Sequence, residues 1–150
     1  MQKIASFCVD HNTLQPGIYV SRIDDDIITY DIRLKKPNIS PFLSNSAMHT
    51  IEHLFATFAR NSSFKDKVIY FGPMGCRTGF YFLARNMEKS DVIRLIIDAF
   101  EFIGNYKGII PGAAAKECGN YLEHDLEDAK KEAKLFLNVI KDWKVENLTY

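Results

Sequence analysis

Hydrophobic residues recur in this chain with two different periods, and the order of those periods limits the fold. Across residues 17–34, Ile18, Val20, Ile23, Ile27, Ile28, Tyr30 and Ile32 alternate loosely with polar residues, and Asp24-Asp25-Asp26 interrupts them. A two-residue period broken by a turn predicts a β-hairpin. Residues 44–60 switch to helical spacing through Ala47, Met48, Ile51, Leu54, Phe55 and Phe58, with Ser44, Asn45 or Ser46 as the cap. Strands are expected at 67–71 and 78–83, around the turn Gly72-Pro73-Met74-Gly75. Amphipathic helices are expected at 91–106 and 123–141. Strands and helices mix without regular βαβ alternation, which predicts an α+β fold with an antiparallel sheet packed against several helices. Residues 1–14 show no clear period.

No repeat, low-complexity tract or linker divides the chain, so residues 1–150 are read as one domain. Lys plus Arg number 19 and Asp plus Glu 19, leaving no net charge. That balance argues against a nucleic acid or an anionic membrane held by electrostatics. No apolar run approaches the roughly 20 residues that span a bilayer, and the first six residues do not resemble a secretory signal. A cytoplasmic protein is expected. Its 3 cysteines are widely spaced, which in that setting favours ligands or catalysts over a disulfide frame.

The string His49-Thr50-Ile51-Glu52-His53 carries the clearest chemistry. On a helix these two imidazoles and the carboxylate fall within an arc of about 100°. Two imidazoles can grip one ion while the carboxylate faces what the ion holds. The apolar residues lie mostly elsewhere around this helix, so the imidazole face is not simply core.

A third ligand must come from outside the helix. Cys118, in Lys116-Glu117-Cys118-Gly119-Asn120, has polar neighbours that suit a ligand better than a buried hydrophobe. Two imidazoles and one thiolate leave a coordination position open, as in catalytic sites. Cys76, in Gly75-Cys76-Arg77-Thr78-Gly79, is either a fourth ligand closing a structural site or a free thiol activated by a nearby cation and by Arg77. Cys8, between Phe7 and Val9, reads as packing. His124 reads as a surface residue one turn into the last helix.

Five segments occur in order: Ser6-Phe7-Cys8-Val9-Asp10-His11, Tyr30-Asp31-Ile32-Arg33, His49-Thr50-Ile51-Glu52-His53-Leu54, Pro73-Met74-Gly75-Cys76-Arg77-Thr78-Gly79-Phe80-Tyr81 and Glu117-Cys118-Gly119-Asn120-Tyr121. Together they resemble the S-ribosylhomocysteine lyase (LuxS) family, which makes the precursor of autoinducer-2. The resemblance covers nearly the whole chain. It implies His49, His53 and Cys118 as metal ligands, with Glu52 and Cys76 as the general acid–base pair. Ser6, His11 and Arg33 would contact the substrate, S-ribosylhomocysteine, with Arg60 assisting. It further implies one divalent ion per subunit, ferrous iron with zinc or cobalt as substitutes, and a homodimer with its sites at the interface. Tyr70-Phe71-Gly72-Pro73 departs from the acidic residue and serine that many members carry before Pro-Met-Gly-Cys.

Two other readings fit the motifs. A metallopeptidase of the inverted His-x-x-Glu-His kind would take its third ligand from Glu117, Glu123 or Glu127, but such enzymes are much larger. A non-catalytic module would close His49, His53, Cys76 and Cys118 around structural zinc.

Overall fold

The computed structural model describes residues 1–150, the side chain of Ala5 excepted. The two-residue period of the first segment becomes a hairpin of β1 (Gly17–Asp24) and β2 (Ile27–Arg33), paired antiparallel with a bulge between Val20 and Arg22. Asp25, at the turn, adopts φ 52°, a left-handed conformation that aspartate tolerates. Helix α1 (Asn45–Arg60) follows, then β3 (Val68–Pro73), β4 (Gly79–Arg85), α2 (Lys89–Asn105) and α3 (Leu126–Ile140). The sheet order is β1-β2-β4-β3, antiparallel throughout, so the α+β expectation is met.

Alternation decides what each sheet face meets. Tyr30 and Ile32 of β2 and Phe80 and Phe82 of β4 are fully buried within the main hydrophobic core, together with residues of the three helices. The core centres on Phe55, whose ring stacks on Phe71 at 3.8 Å between centroids and meets Phe82 and Phe100 edge-on. Such aromatic pairs add about 0.5–1.5 kcal/mol each beyond area burial. The intervening residues of β2, Asp31 and Arg33, face the other side of the sheet, yet they too are buried, at 1% and 3% exposure.

Helix α1 is set in place at its start. The Ser44 hydroxyl accepts from the Ala47 N–H at 3.1 Å and donates to Asp128 of α3 at 2.7 Å. The first turns of α1 and α3 are thereby tied together. Lys35, just after β2, ties that end of the sheet to α3 through an ion pair with Glu132 at 2.7 Å.

Helix α3 starts later than its apolar period suggested. Asp125 caps it by accepting from the Asp128 N–H at 2.9 Å, which leaves His124 outside the helix. Strand β3 runs two residues further than expected, through Gly72 and Pro73. No helix among the described residues is long and apolar enough to cross a membrane.

Candidate metal centre and substrate cleft

Helix α1 buries Met48, Thr50, Ile51, Leu54 and Phe55, which leaves His49, Glu52 and His53 half-buried along its flank. Both imidazoles are oriented from behind. His49 Nδ1 lies 2.8 Å from the Glu123 carbonyl, and His53 Nδ1 lies 2.7 Å from the Pro111 carbonyl. A carbonyl can only accept, so both Nδ1 atoms carry protons and both Nε2 atoms present bare lone pairs. This is the arrangement that prepares histidines for a metal. Gly112 makes the second of these contacts possible. Its φ is 71°, and an added Cβ would stand 3.2 Å from His53 Nδ1.

Cys118 reaches the same point from the segment between α2 and α3. Its Sγ is 3.3 Å from His49 Nε2. Ligands at standard zinc bond lengths around a tetrahedral ion stand roughly 3.5 Å apart, so the spacing suits shared coordination. The Asn120 backbone N–H donates to Sγ at 3.4 Å. The donor set therefore fits a divalent ion.

A third imidazole joins the cluster. His124 was expected at the surface, but its ligand atom lies with those of His49, His53 and Cys118, all within 4.8 Å of one another. Its ring stacks on His49 with centroids 4.0 Å apart. Burial, with smaller contributions from the neighbouring His49 and His53, lowers its pKa to about 4. No local signal places this residue, because its imidazole partners, His49 and His53, are 71 and more positions away.

A separate cleft of about 480 Å³ is lined by Ser6, His11, Arg33 and Cys76, among others. The turn carrying Cys76 is pinned by Met74 N–H to Gly79 O at 2.9 Å and Arg77 N–H to Met74 O at 3.0 Å. Cys76 is exposed, and its Sγ lies 3.1 Å from Thr78 Oγ1. Arg33 Nη1 donates to that same hydroxyl at 2.7 Å and stands 3.9 Å from the sulfur. The expected cation beside Cys76 was Arg77. Its guanidinium instead lies over the Phe42 ring at 5.9 Å, and Arg33 supplies the charge. Burial opposes the Arg33 charge, but the hydrogen bonds and charge of Asp31 outweigh it and hold its pKa above the ordinary value. His11 Nδ1 is occupied by the Val9 carbonyl at 2.8 Å, which leaves Nε2 bare.

The remaining candidates are placed as follows. Glu52 is half-buried on the flank of α1 that carries His49 and His53. Arg60 sits at the far end of α1 and donates to the Ile69 carbonyl at 2.8 Å. At 1.5 Å per residue it is about 16 Å along the axis from His49. It lines neither the cleft nor the cluster. Cys8, read as packing, is exposed and donates weakly to the Ile4 carbonyl. Tyr70 is half-exposed with its phenol over Gly72, where a side chain would collide with it. Cys76 is not among the clustered ligands of its own chain.

An α+β fold carrying an imidazole–thiolate cluster that could hold a metal ion, and a separate cleft that bears Cys76, defines the class of protein. The comparisons with known proteins narrow this. The family model for S-Ribosylhomocysteinase (LuxS) matches residues 4–147. A protein named S-ribosylhomocysteine lyase from Borreliella afzelii (strain PKo) is 52% identical, covering 100% of this chain and 99% of its own. Relatives of the same name from Finegoldia magna and Clostridium acetobutylicum are 50% and 46% identical, with the same coverage. The chain belongs to the LuxS family.

Proposed function

We propose that this protein is a metal-dependent carbon–sulfur lyase that cleaves the thioether of S-ribosylhomocysteine, giving homocysteine and 4,5-dihydroxy-2,3-pentanedione. The observation that carries the reading is full-length similarity to proteins named for that reaction, joined to a cluster whose donors suit a divalent ion. The ligands would be His49, His53 and Cys118, and ferrous iron the resident ion, with zinc or cobalt as substitutes. When bound, the ion supplies positive charge where oxygen gains negative charge.

The chemistry explains the need for two proton carriers. The thioether is inert while the sugar carbonyl is at the far end of its chain. Two aldose–ketose shifts bring the carbonyl within reach. Each removes a proton from the carbon beside the carbonyl and returns one to the former carbonyl carbon, while the hydroxyl proton passes from the new carbonyl oxygen to the old one. A last proton is then lost α to the ketone, the β carbon–sulfur bond breaks, and homocysteine leaves with the bond's electron pair. Cys76 and Glu52 would carry these protons from opposite sides of the chain. The Thr78 hydroxyl, which accepts from Arg33, can turn its own proton to the Cys76 sulfur. His11 Nε2, Ser6 and Arg33 would hold sugar hydroxyls and the polar head in the cleft.

Because the metal ligands do not line the Cys76 cleft of the same chain, we place the complete site between two subunits of a homodimer. Arg60 would reach substrate only through such an assembly. The three free thiols suit the reducing cytoplasm.

The test is incubation of anaerobically purified protein with S-ribosylhomocysteine and a thiol reagent, with metal measured on the same sample. Thiol release in proportion to bound metal supports the lyase. Peptide hydrolysis without thiol release favours the metallopeptidase. Glu52→Gln is expected to hold its metal and lose about 10²-fold in turnover, the lower end for a lost acid–base group. Unchanged turnover at full metal occupancy would remove Glu52 from the mechanism.

A further inference from the structure

His124 differs from the other two histidines of the cluster in what its geometry permits. An ion lies in the plane of the imidazole that binds it. The His49 and His53 rings meet at 84°, so both planes can pass through one ion. The His49 and His124 rings are only 21° from parallel, with centroids 4.0 Å apart. Planes so inclined meet roughly 9–10 Å away, while an ion sits about 2 Å from its nitrogen. His124 therefore cannot share His49's ion without leaving the stack.

The proton on His124 is fixed as firmly as its ring. Thr50 Oγ1 donates its one proton to the Ser46 carbonyl at 2.8 Å. The same oxygen accepts from the Asp125 N–H at 3.0 Å and faces His124 Nδ1 at 3.1 Å. With its proton committed, the hydroxyl can only accept from His124, so Nδ1 carries the hydrogen. Nε2 is left as a bare acceptor. It is buried, and no described residue partners it. A buried acceptor in that state is destabilising unless something donates to it.

We propose that His124 is a positioning residue of the metal centre that stays outside the ligand set. Its Nε2 accepts a hydrogen bond from an O–H donor, either water or a sugar hydroxyl, at the coordination position that His49, His53 and Cys118 leave open. The inference rests on the ligand set adopted above, but its readout is spectroscopic and separates from lyase activity.

The experiment loads the full-length protein with cobalt(II) and compares wild type, H124F and H124Q. Phenylalanine keeps the stack and removes both nitrogens, whereas glutamine restores an acceptor oxygen. H124F is expected to retain cobalt and the sulfur-to-cobalt charge-transfer band, while its d–d bands shift. H124Q is expected to return them toward wild type. A shift present before substrate is added identifies water as the donor, and a shift seen only with substrate identifies the sugar. Loss of cobalt from folded H124F would make His124 a ligand and overturn the proposal. Bands identical to wild type with and without substrate would make it a bystander, with the same consequence. Should H124F fail to fold, H124L is read by the same criteria.

Discussion

Cys76→Ala is expected to keep its metal and to lose roughly 10²–10⁴-fold in turnover, the range for removing a positioned acid–base group. The two halves of this expectation have separate origins. Metal retention follows because Cys76 lies in the cleft with Thr78 and Arg33, apart from the imidazole cluster. The loss of rate follows because nothing else lining that cleft replaces a sulfur placed beside both a hydroxyl donor and a guanidinium. Metal analysis and thiol release on one preparation check both. If the variant lost its metal, Cys76 would be a ligand, and the structural-zinc reading would return.

Asp31→Ala is expected to cost about 3–5 kcal/mol, because it strands a buried guanidinium without its counter-charge. Asp31 takes Arg33 Nε at 3.1 Å and Nη2 at 2.6 Å in a two-pronged contact. It also accepts from the Tyr150 hydroxyl at 2.8 Å. Burial raises the Tyr150 pKa well above the ordinary phenol range, and the Asp31 charge adds to it. The C-terminal residue is thus held against β2 by the same carboxylate. A loss of this size lowers the melting temperature by about 10 °C in a chain of this length. Urea unfolding followed at Trp143, whose indole donates to the Ile18 carbonyl at 2.9 Å, would measure it. A change below about 1 kcal/mol would mean that water reaches Arg33 and that the pair matters little.

What could be read in the sequence was whatever has a local cause. The hairpin, α1 and the imidazole face followed from periods of two and 3.6 residues and from the capping group at Ser44. Cys118 was recognisable because its polar neighbours made burial implausible. The parts missed depend on contacts without local signature. His124 joins the cluster because Asp125 ends the irregular stretch and caps α3, two residues beyond the start at 123 that the apolar period predicts. Arg33 rather than Arg77 stands beside Cys76 because β2 pairs with β4 across a separation of 46 residues or more, and no spacing rule reports that distance. The expected nearness of Cys76 to the imidazoles depended on tertiary arrangement alone. Within one chain, Cys76 lines the cleft and is not among the clustered ligands.

The alternation of Tyr30 and Ile32 with Asp31 and Arg33 has a consequence for how the four strands align. Sliding β2 by a single position would drive a carboxylate and a guanidinium in among the aromatic rings and turn the hydrocarbon residues outward. Opposite Arg33 stands Gly79, where any larger residue would strike the Ile32 carbonyl, so an offset pairing would also collide there. One pair of charges and one bare backbone position thus admit a single alignment of the central strands.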